Sequence, residues 1–251
     1  MTVSTAVTLS GSGGAAALGG DYEGAWEIRN DLNLTVDALN NVSAQGQPMQ
    51  ARSLIEGNTL SWELVPVSNL LTIDDSGRQV ESFKFKAITA ENHDLCLEAT
   101  GASPSVGAVV QQYRCDPNAK DQPNQSWFVY KAPAGHTYLV NGASWDLADM
   151  PVGPEGRGIS SRVWWRNIRM VDGEIKVTTY YNDNTHVTKS ALVIEAQAQD
   201  STHRLYLKEG LSFPHWQHFS LKETSTVSFD EAAENPADEQ CNVWCQLVDL
   251  F

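Results

Sequence analysis

Short runs of alternating apolar and polar residues recur along most of the chain, and they constrain its fold more than any other feature. Clusters of Gly, Pro, Asn and Asp separate these runs, as expected where half-buried antiparallel strands are joined by turns. Helical periodicity is hard to find anywhere in the sequence. Clear strand-like runs are residues 26–29, 61–65, 82–88, 174–181, 191–196 and 204–208. Many short strands on one chain predict an all-β barrel or sandwich.

An internal repeat sharpens this prediction. Three segments place a tryptophan at the start of a strand-like run, at Trp62, Trp127 and Trp216. Because a single four-strand unit cannot bury its own apolar face, threefold repetition predicts a β-trefoil with these tryptophans buried at equivalent structural positions. The predicted repeats are about residues 21–68, 80–133 and 134–224.

The third repeat is longer than the others, and residues 166–190 are the predicted insertion. Within it, Asp172 and Gly173 lie between apolar residues, a pattern that predicts a tight hairpin turn. Residues 1–20 are rich in Ser, Thr, Gly and Ala and are predicted to be a flexible tail. Residues 225–251 are predicted to be an acidic linker followed by an apolar C-terminal segment, so extended tails flank the predicted trefoil.

The charge balance excludes some partners. Asp and Glu number 31 and Lys and Arg 17, giving a formal charge of −14, and such a surface repels the phosphate backbone of nucleic acid. No run of about 18 apolar residues is present, so no membrane span is predicted. His215 and His218 are three residues apart, on opposite faces of a strand, and we predict no metal or cofactor. No catalytic motif is found, so an enzyme is not expected.

The four cysteines fall into two local pairs, Cys96 with Cys115 and Cys241 with Cys245. An even count with local pairing favours disulfides and a secreted, extracellular protein. The N-terminus lacks a basic region and a continuous apolar block, so no signal peptide is recognised, which favours the cytoplasm. The sequence leaves both locations open.

The most specific pattern lies in the middle repeat. It begins with an acidic strand residue, Glu98. Gln111 and the aromatic Tyr113 follow, just before the second cysteine, Cys115. A Gln-x-Trp tripeptide ends the pattern at Gln125-Ser126-Trp127. This order resembles the ricin-B-type lectin repeat, well over about residues 80–133 and in outline elsewhere. The resemblance implies a β-trefoil sugar-binding module and a disulfide between Cys96 and Cys115.

The resemblance also implies a role for each site residue. Tyr113 would stack on the apolar face of a pyranose, while Glu98, Gln111 and Asn124 would bond its hydroxyl groups. Gln125 and Trp127 would be structural, with the indole in the core and the amide supporting the chain near the site. The family usually has Asp where this chain has Glu98, so the carboxylate lies one methylene further from the backbone.

The first repeat departs further from the family pattern. Asp37 is the expected acid, but Arg52 stands where the aromatic residue belongs, so we interpret this unit as structural.

The third repeat also departs from the pattern. It offers Asp146 with Trp164 or Trp165, but the segment ending at Trp216 has lost both polar residues of the motif. We interpret it as degenerate.

Two classes of function therefore remain. The first is a lectin that recognises galactose-type glycans or glycoproteins, either free-standing or as the receptor-binding part of a toxin or surface assembly. The second is a structural or interaction subunit with decayed sugar sites. Such a subunit would bind a protein partner or self-associate through the apolar C-terminal segment, whose exposure to water would be unfavourable.

Overall fold

The computed structural model describes residues 24–53, 60–67, 72–88, 94–101, 104–116, 123–145, 163–181, 184–198, 201–212 and 215–224. These residues form strands and short 3-10 turns, with no α-helix among them, so the all-β prediction is confirmed. The predicted tails, residues 1–20 and 225–251 with Cys241 and Cys245, lie outside the described residues.

The strands follow the alternating runs of the sequence. They are β1 (Ala25–Asn30), β2 (Leu34–Ala38), β3 (Gln47–Ser53), β4 (Ser61–Pro66), β5 (Thr72–Ile73), β6 (Ser82–Ile88), β7 (Leu95–Ala99), β8 (Val110–Arg114), β9 (Trp127–Lys131), β10 (Thr137–Asn141), β11 (Val163–Val171), β12 (Glu174–Tyr181), β13 (His186–Ser190), β14 (Leu192–Ala196), β15 (Leu205–Glu209) and β16 (Phe219–Thr224). The 3-10 turns are Leu39–Asn41, Pro123–Gln125, Gly142–Trp145 and His215–Gln217.

The main sheet closes into a barrel. Strands β6, β4, β1, β2, β3, β8 and β7 are hydrogen-bonded in this order, and β6 also pairs with β7, which completes a ring of seven strands. Strands β9, β10, β14 and β15 extend the same sheet from β6, and β16 pairs with β1.

The predicted β-trefoil is wrong, because this pairing lacks threefold organisation. Every strand of the closed ring comes from the first two predicted repeats, residues 21–68 and 80–133, whereas a trefoil requires three equivalent units. Strand β16, at the end of the third predicted repeat, pairs only with β1 among the described strands. Alternation within a run identifies a strand and its buried face, but not the strand's partner, and the sequence therefore led to the wrong arrangement of strands within the correct all-β class.

A second sheet packs beside the barrel, in the order β13-β12-β11-β5. Strands β12 and β13 and most of β11 lie within residues 166–190, the predicted insertion. The predicted hairpin turn is confirmed, because Val171 pairs with Glu174 across a two-residue loop. Asp172 and Gly173 in that loop have φ of 51° and 81°, a left-handed conformation that Asp and Gly tolerate and β-branched residues do not.

Two apolar clusters form the core, and β9 contributes to both. Trp127 belongs to the cluster inside the barrel, and its neighbour Phe128 belongs to the cluster between the barrel and the second sheet. Because successive side chains of a strand point to opposite faces, β9 is buried on both sides. The sequence shows this as a continuous apolar run instead of an alternating one.

The tryptophans are not equivalent. Trp62 and Trp127 are 0% exposed, and the indole Nε1 of Trp127 donates to the carbonyl of Leu97 at 2.9 Å. Trp216 is only partly buried and packs on the margin of the core, so its predicted burial is wrong. Phe219, which is 1% exposed at the start of β16, supplies the buried ring there instead.

Candidate functional site

The β7–β8 hairpin carries most of the predicted sugar-binding residues. Cys96 pairs with Tyr113 across the hairpin, and Glu98 pairs with Gln111. Residues two apart on a strand point to the same side, and directly paired residues share that side. The register therefore places Glu98, Gln111 and Tyr113 on one face.

The disulfide implied by the resemblance is present. Cys96 and Cys115 are bonded, with Cα atoms 4.9 Å apart. The amide of Cys115 also donates to the carbonyl of Asp94 at 2.8 Å. The start of β7 is thereby fixed to the chain just beyond β8, next to Tyr113.

Glu98 is only 6% exposed and is held by two amides. Its carboxylate accepts from Nε2 of Gln111 at 3.1 Å and from Nε2 of Gln125 at 2.7 Å. Gln125 Nε2 also donates to the carbonyl of Arg114 at 2.9 Å, and its Oε1 accepts from the amide of Asp116 at 3.0 Å. Gln125 thus connects the acid of β7 to the end of β8.

Tyr113 and Asn124 differ in their access to solvent. Tyr113 is 38% exposed, whereas Asn124 is 5% exposed. The side-chain amide of Asn124 donates to the carbonyl of Ala99 at 3.4 Å, and its Oδ1 is buried without a hydrogen-bond partner among the described residues. The structure therefore joins Glu98, Gln111 and Gln125 directly and leaves Tyr113 as the exposed ring on their face.

In the first unit, the acid that corresponds to Glu98 is Asp37, and its carboxylate forms an ion pair. Asp37 on β2 and Arg52 on β3 are both buried, with Oδ2 and Nη2 2.5 Å apart. Burial raises the pKa of Asp37 above its ordinary value, although the amide of Ala38 and the charge of Arg52 act in the opposite direction. Arg52, which stands where the family has an aromatic residue, therefore occupies the carboxylate of Asp37 that would otherwise accept a hydrogen bond from a ligand hydroxyl.

The hydrogen-bond pattern that holds Glu98 recurs at the β14–β15 hairpin, where the sequence did not predict it. Gln217 Nε2 donates to the carboxylate of Glu195 at 2.7 Å and to the carbonyl of Glu209 at 3.0 Å. Its Oε1 accepts from the amide of Leu211 at 2.9 Å. A search for Gln-x-aromatic, instead of Gln-x-Trp, would have found this arrangement in Gln217-His218-Phe219.

The residues predicted for the third unit lie elsewhere. Asp146 is outside the described residues. The ring of Trp165 stacks on Tyr180 in the second sheet, with centroids 3.9 Å apart, so it is not part of the β14–β15 hairpin.

A surface groove of about 540 Å³ lies beside the β14–β15 hairpin. Glu195, Tyr206 and Lys208 line it. Glu195 pairs with Tyr206, and Val193 pairs with Lys208. By this register Lys208 stands where Tyr113 stands on β8, so the second hairpin offers a cation at the position of the exposed ring.

Comparison with known proteins identifies no family. No protein-family model matches the chain, and no curated protein matches it. Among solved structures, the designed threefold-symmetric protein ThreeFoil is 15% identical, over 80% of this chain and 100% of ThreeFoil, with a TM-score of 0.47. The mdaA-1 domain, solved in solution, is 13% identical over 81% of this chain and 92% of that domain, with a TM-score of 0.42. Neither similarity assigns a fold family or a function.

Proposed function

We propose that this chain is a lectin that binds a galactose-type pyranose on the outer face of the β7–β8 hairpin. The observation that carries the proposal is the placement of Tyr113, an exposed ring, on the same face as the amide-bonded carboxylate of Glu98. The ricin-B-type order of residues around Cys96 and Cys115 supports the same function.

Tyr113 supplies the apolar contact. A pyranose has a C–H face that packs on an aromatic ring, and galactose extends that face because its 4-hydroxyl is axial. The disulfide restrains the backbone beside Tyr113, so less conformational freedom of that strand end remains to be lost on binding.

The polar contacts come from groups already oriented by the fold. Gln111 is half-buried, and its donation to Glu98 fixes the plane of its amide toward the ligand face. Each oxygen of Glu98 keeps a second lone pair for a sugar hydroxyl. Asn124 Oδ1, a buried acceptor without a partner among the described residues, would be satisfied by a hydroxyl that reached it.

A single shallow site of this kind binds weakly, at about millimolar affinity, because few ligand atoms are buried and ordering costs must be offset. Tight binding then requires several copies of the site to bind one multivalent ligand at the same time. Multivalent glycans or glycoproteins are therefore the proposed partners.

Binding to a glycan array and calorimetry with a methyl galactoside test this function. We expect Tyr113→Ala to abolish binding without changing the melting temperature. Tyr180→Ala removes a ring from the second sheet and is the matched control, which should still bind. Unaltered binding by Tyr113→Ala, or no binding of any glycan by the wild-type protein, would contradict the proposal.

One observation favours the second candidate, an interaction subunit. Among the described strands, β13 lies at an edge of the second sheet, and its residues His186, Val187 and Thr188 are exposed. An edge strand presents unpaired backbone groups that another chain can pair with. Sedimentation velocity over a range of concentrations tests this: self-association through β13 should be lost in Val187→Lys, and a monomer at every concentration would speak against it.

A further inference from the structure

Three metal-ligating side chains from distant parts of the chain meet at one place on the barrel. Asp31 follows β1, His136 lies between β9 and β10, and His218 lies between the last 3-10 turn and β16. Their ligand atoms all lie within 4.8 Å of one another. Asp31 Oδ2 is 2.8 Å from Nδ1 of His218 and 3.3 Å from Nδ1 of His136.

The two imidazoles are arranged to face one carboxylate oxygen together. Their rings are stacked, with centroids 3.9 Å apart and planes inclined by 17°. The amide of Asp31 donates to the carbonyl of His218 at 3.2 Å, which joins the backbones of these two residues.

A second layer of contacts holds the buried histidine. His218 is 1% exposed, and its Nε2 is 3.0 Å from the hydroxyl of Tyr138. A phenol can accept a hydrogen bond from Nε2 when Nδ1 carries a metal, and such outer contacts set the orientation of ligating histidines.

We propose that Asp31, His136 and His218 bind a divalent transition-metal ion of the zinc class, through both Nδ1 atoms and the carboxylate. Two imidazoles and one carboxylate are a common ligand set for zinc, with ligand distances of about 2.0–2.2 Å. Three such ligands lie about 3.3–3.6 Å apart around a tetrahedral ion. The 3.3 Å between Asp31 and His136 already fits this spacing, and the 2.8 Å between Asp31 and His218 must lengthen. The partly exposed ring of His136 must also turn out of its stack on His218, so that both Nδ1 lone pairs point at the ion. Ca²⁺ and Mg²⁺ prefer oxygen ligands and are not accommodated.

The site leaves room for a further ligand. The side chains of Asp31 and His136 are 40% and 38% exposed, whereas His218 forms the buried floor. An ion held there would join the turn after β1, the β9–β10 turn and the start of β16. It would bind the folded chain and not the unfolded one, and would therefore raise the melting temperature.

Calorimetry and thermal melting of the untagged, chelator-treated protein with ZnCl₂ test the proposal. We expect one zinc ion per chain at this site and a rise in melting temperature of several degrees at saturating zinc. His136→Gln and Asp31→Asn, which change partly exposed side chains, should each lose both effects. His186→Gln, an exposed histidine of β13, is the control and should retain them. CaCl₂ and MgCl₂ should have no effect.

The cysteines outside the described residues are a second possible source of zinc binding. A Cys241→Ser, Cys245→Ser variant separates the sources, because zinc binding to the cluster should survive in it. Absorption bands of bound Co²⁺ should likewise persist in that variant and disappear in His136→Gln. Absence of zinc binding, binding unchanged in both cluster variants, or binding lost with the cysteines would overturn the proposal.

Discussion

Gln125 and Gln217 make the same three hydrogen bonds in two hairpins distant in sequence. Nε2 of each donates to a carboxylate on the first strand of its hairpin and to the last carbonyl of the second strand, and each Oε1 accepts from the amide two residues further on. Each hairpin is thus joined in the same way to the 3-10 turn that carries its glutamine. They differ in the residue presented to solvent, which is Tyr113 in the first and Lys208 in the second.

Replacing either glutamine by methionine should destabilise the protein. Gln125→Met leaves the buried carboxylate of Glu98 without its shorter hydrogen bond and frees a backbone carbonyl and amide, each at a cost of about 1–3 kcal/mol. Urea unfolding measures the loss. Gln197→Met, at an exposed position, should have no effect. Equal stability of Gln125→Met and Gln197→Met would show that these hydrogen bonds contribute nothing.

The buried ion pair of Asp37 and Arg52 should be sensitive to the loss of one partner. Arg52→Met leaves Asp37 buried and uncompensated, which should lower the free energy of unfolding by about 3–5 kcal/mol. The double variant Asp37→Leu, Arg52→Met removes both charges and should recover most of that loss. Urea unfolding of the single and double variants measures both values, and a double variant no more stable than Arg52→Met would count against this account.

Removing the disulfide should cost about 3 kcal/mol, because the bond closes a loop with a sequence separation of 19 residues and restricts the unfolded chain. The variant Cys96→Ser, Cys115→Ser should show this loss in urea unfolding. Cys241→Ser, Cys245→Ser is the matched control, since residues so close in sequence gain little from pairing. Mass spectrometry of the unreduced protein showing free thiols at Cys96 and Cys115 would refute the expectation.

Acid should destabilise the fold partly through Asp74. Burial acts to raise the pKa of Asp74, but hydrogen bonds from Ser76 and Arg78 outweigh it and leave that pKa below its ordinary value of 3.8. A carboxyl with a lowered pKa stabilises the folded state above its unfolded pKa, and this contribution is lost as the pH falls through the folded pKa.

Asp74→Asn tests this pH dependence. The variant should be less stable than wild type at pH 7, yet its stability should fall less steeply below about pH 4. Urea midpoints measured across this range give the comparison. Asp94→Asn is the control, because that side chain is 61% exposed. Identical slopes for the wild-type and Asp74→Asn proteins would contradict the assignment.

The sequence predicted the strands better than their arrangement. Alternation and turn residues gave the all-β class and the hairpin at Asp172-Gly173, because both are local. The closure of the seven-strand ring by β6 and β7, which makes the predicted β-trefoil wrong, has no local signal, and neither has the parallel pairing of β5 with β11. The repeated pattern of a tryptophan before a strand also misled the prediction, because it placed Trp216 in the core where Phe219 is the buried ring.

The candidate sites, too, could be predicted only where their residues are close in sequence or on paired strands. The motif around Cys96 and Cys115 located the β7–β8 hairpin because its residues are neighbours on paired strands. The hydrogen bond from Gln217 to Glu195 was not predicted, because the expected tripeptide required Trp at its third position and this chain has Phe219 there. The cluster of Asp31, His136 and His218 joins three turns distant in sequence, and no pattern in the chain links them.

Chemical-shift mapping with a methyl galactoside tests the proposed lectin function most directly. We expect the signals of the Tyr113 ring and of the side-chain amides of Gln111 and Gln125 to shift together and to saturate at about millimolar sugar, while the side-chain amide signal of Gln217 does not move. No saturable shift at these positions, or a shift confined to Tyr206 and Lys208, would contradict sugar binding on the β7–β8 hairpin.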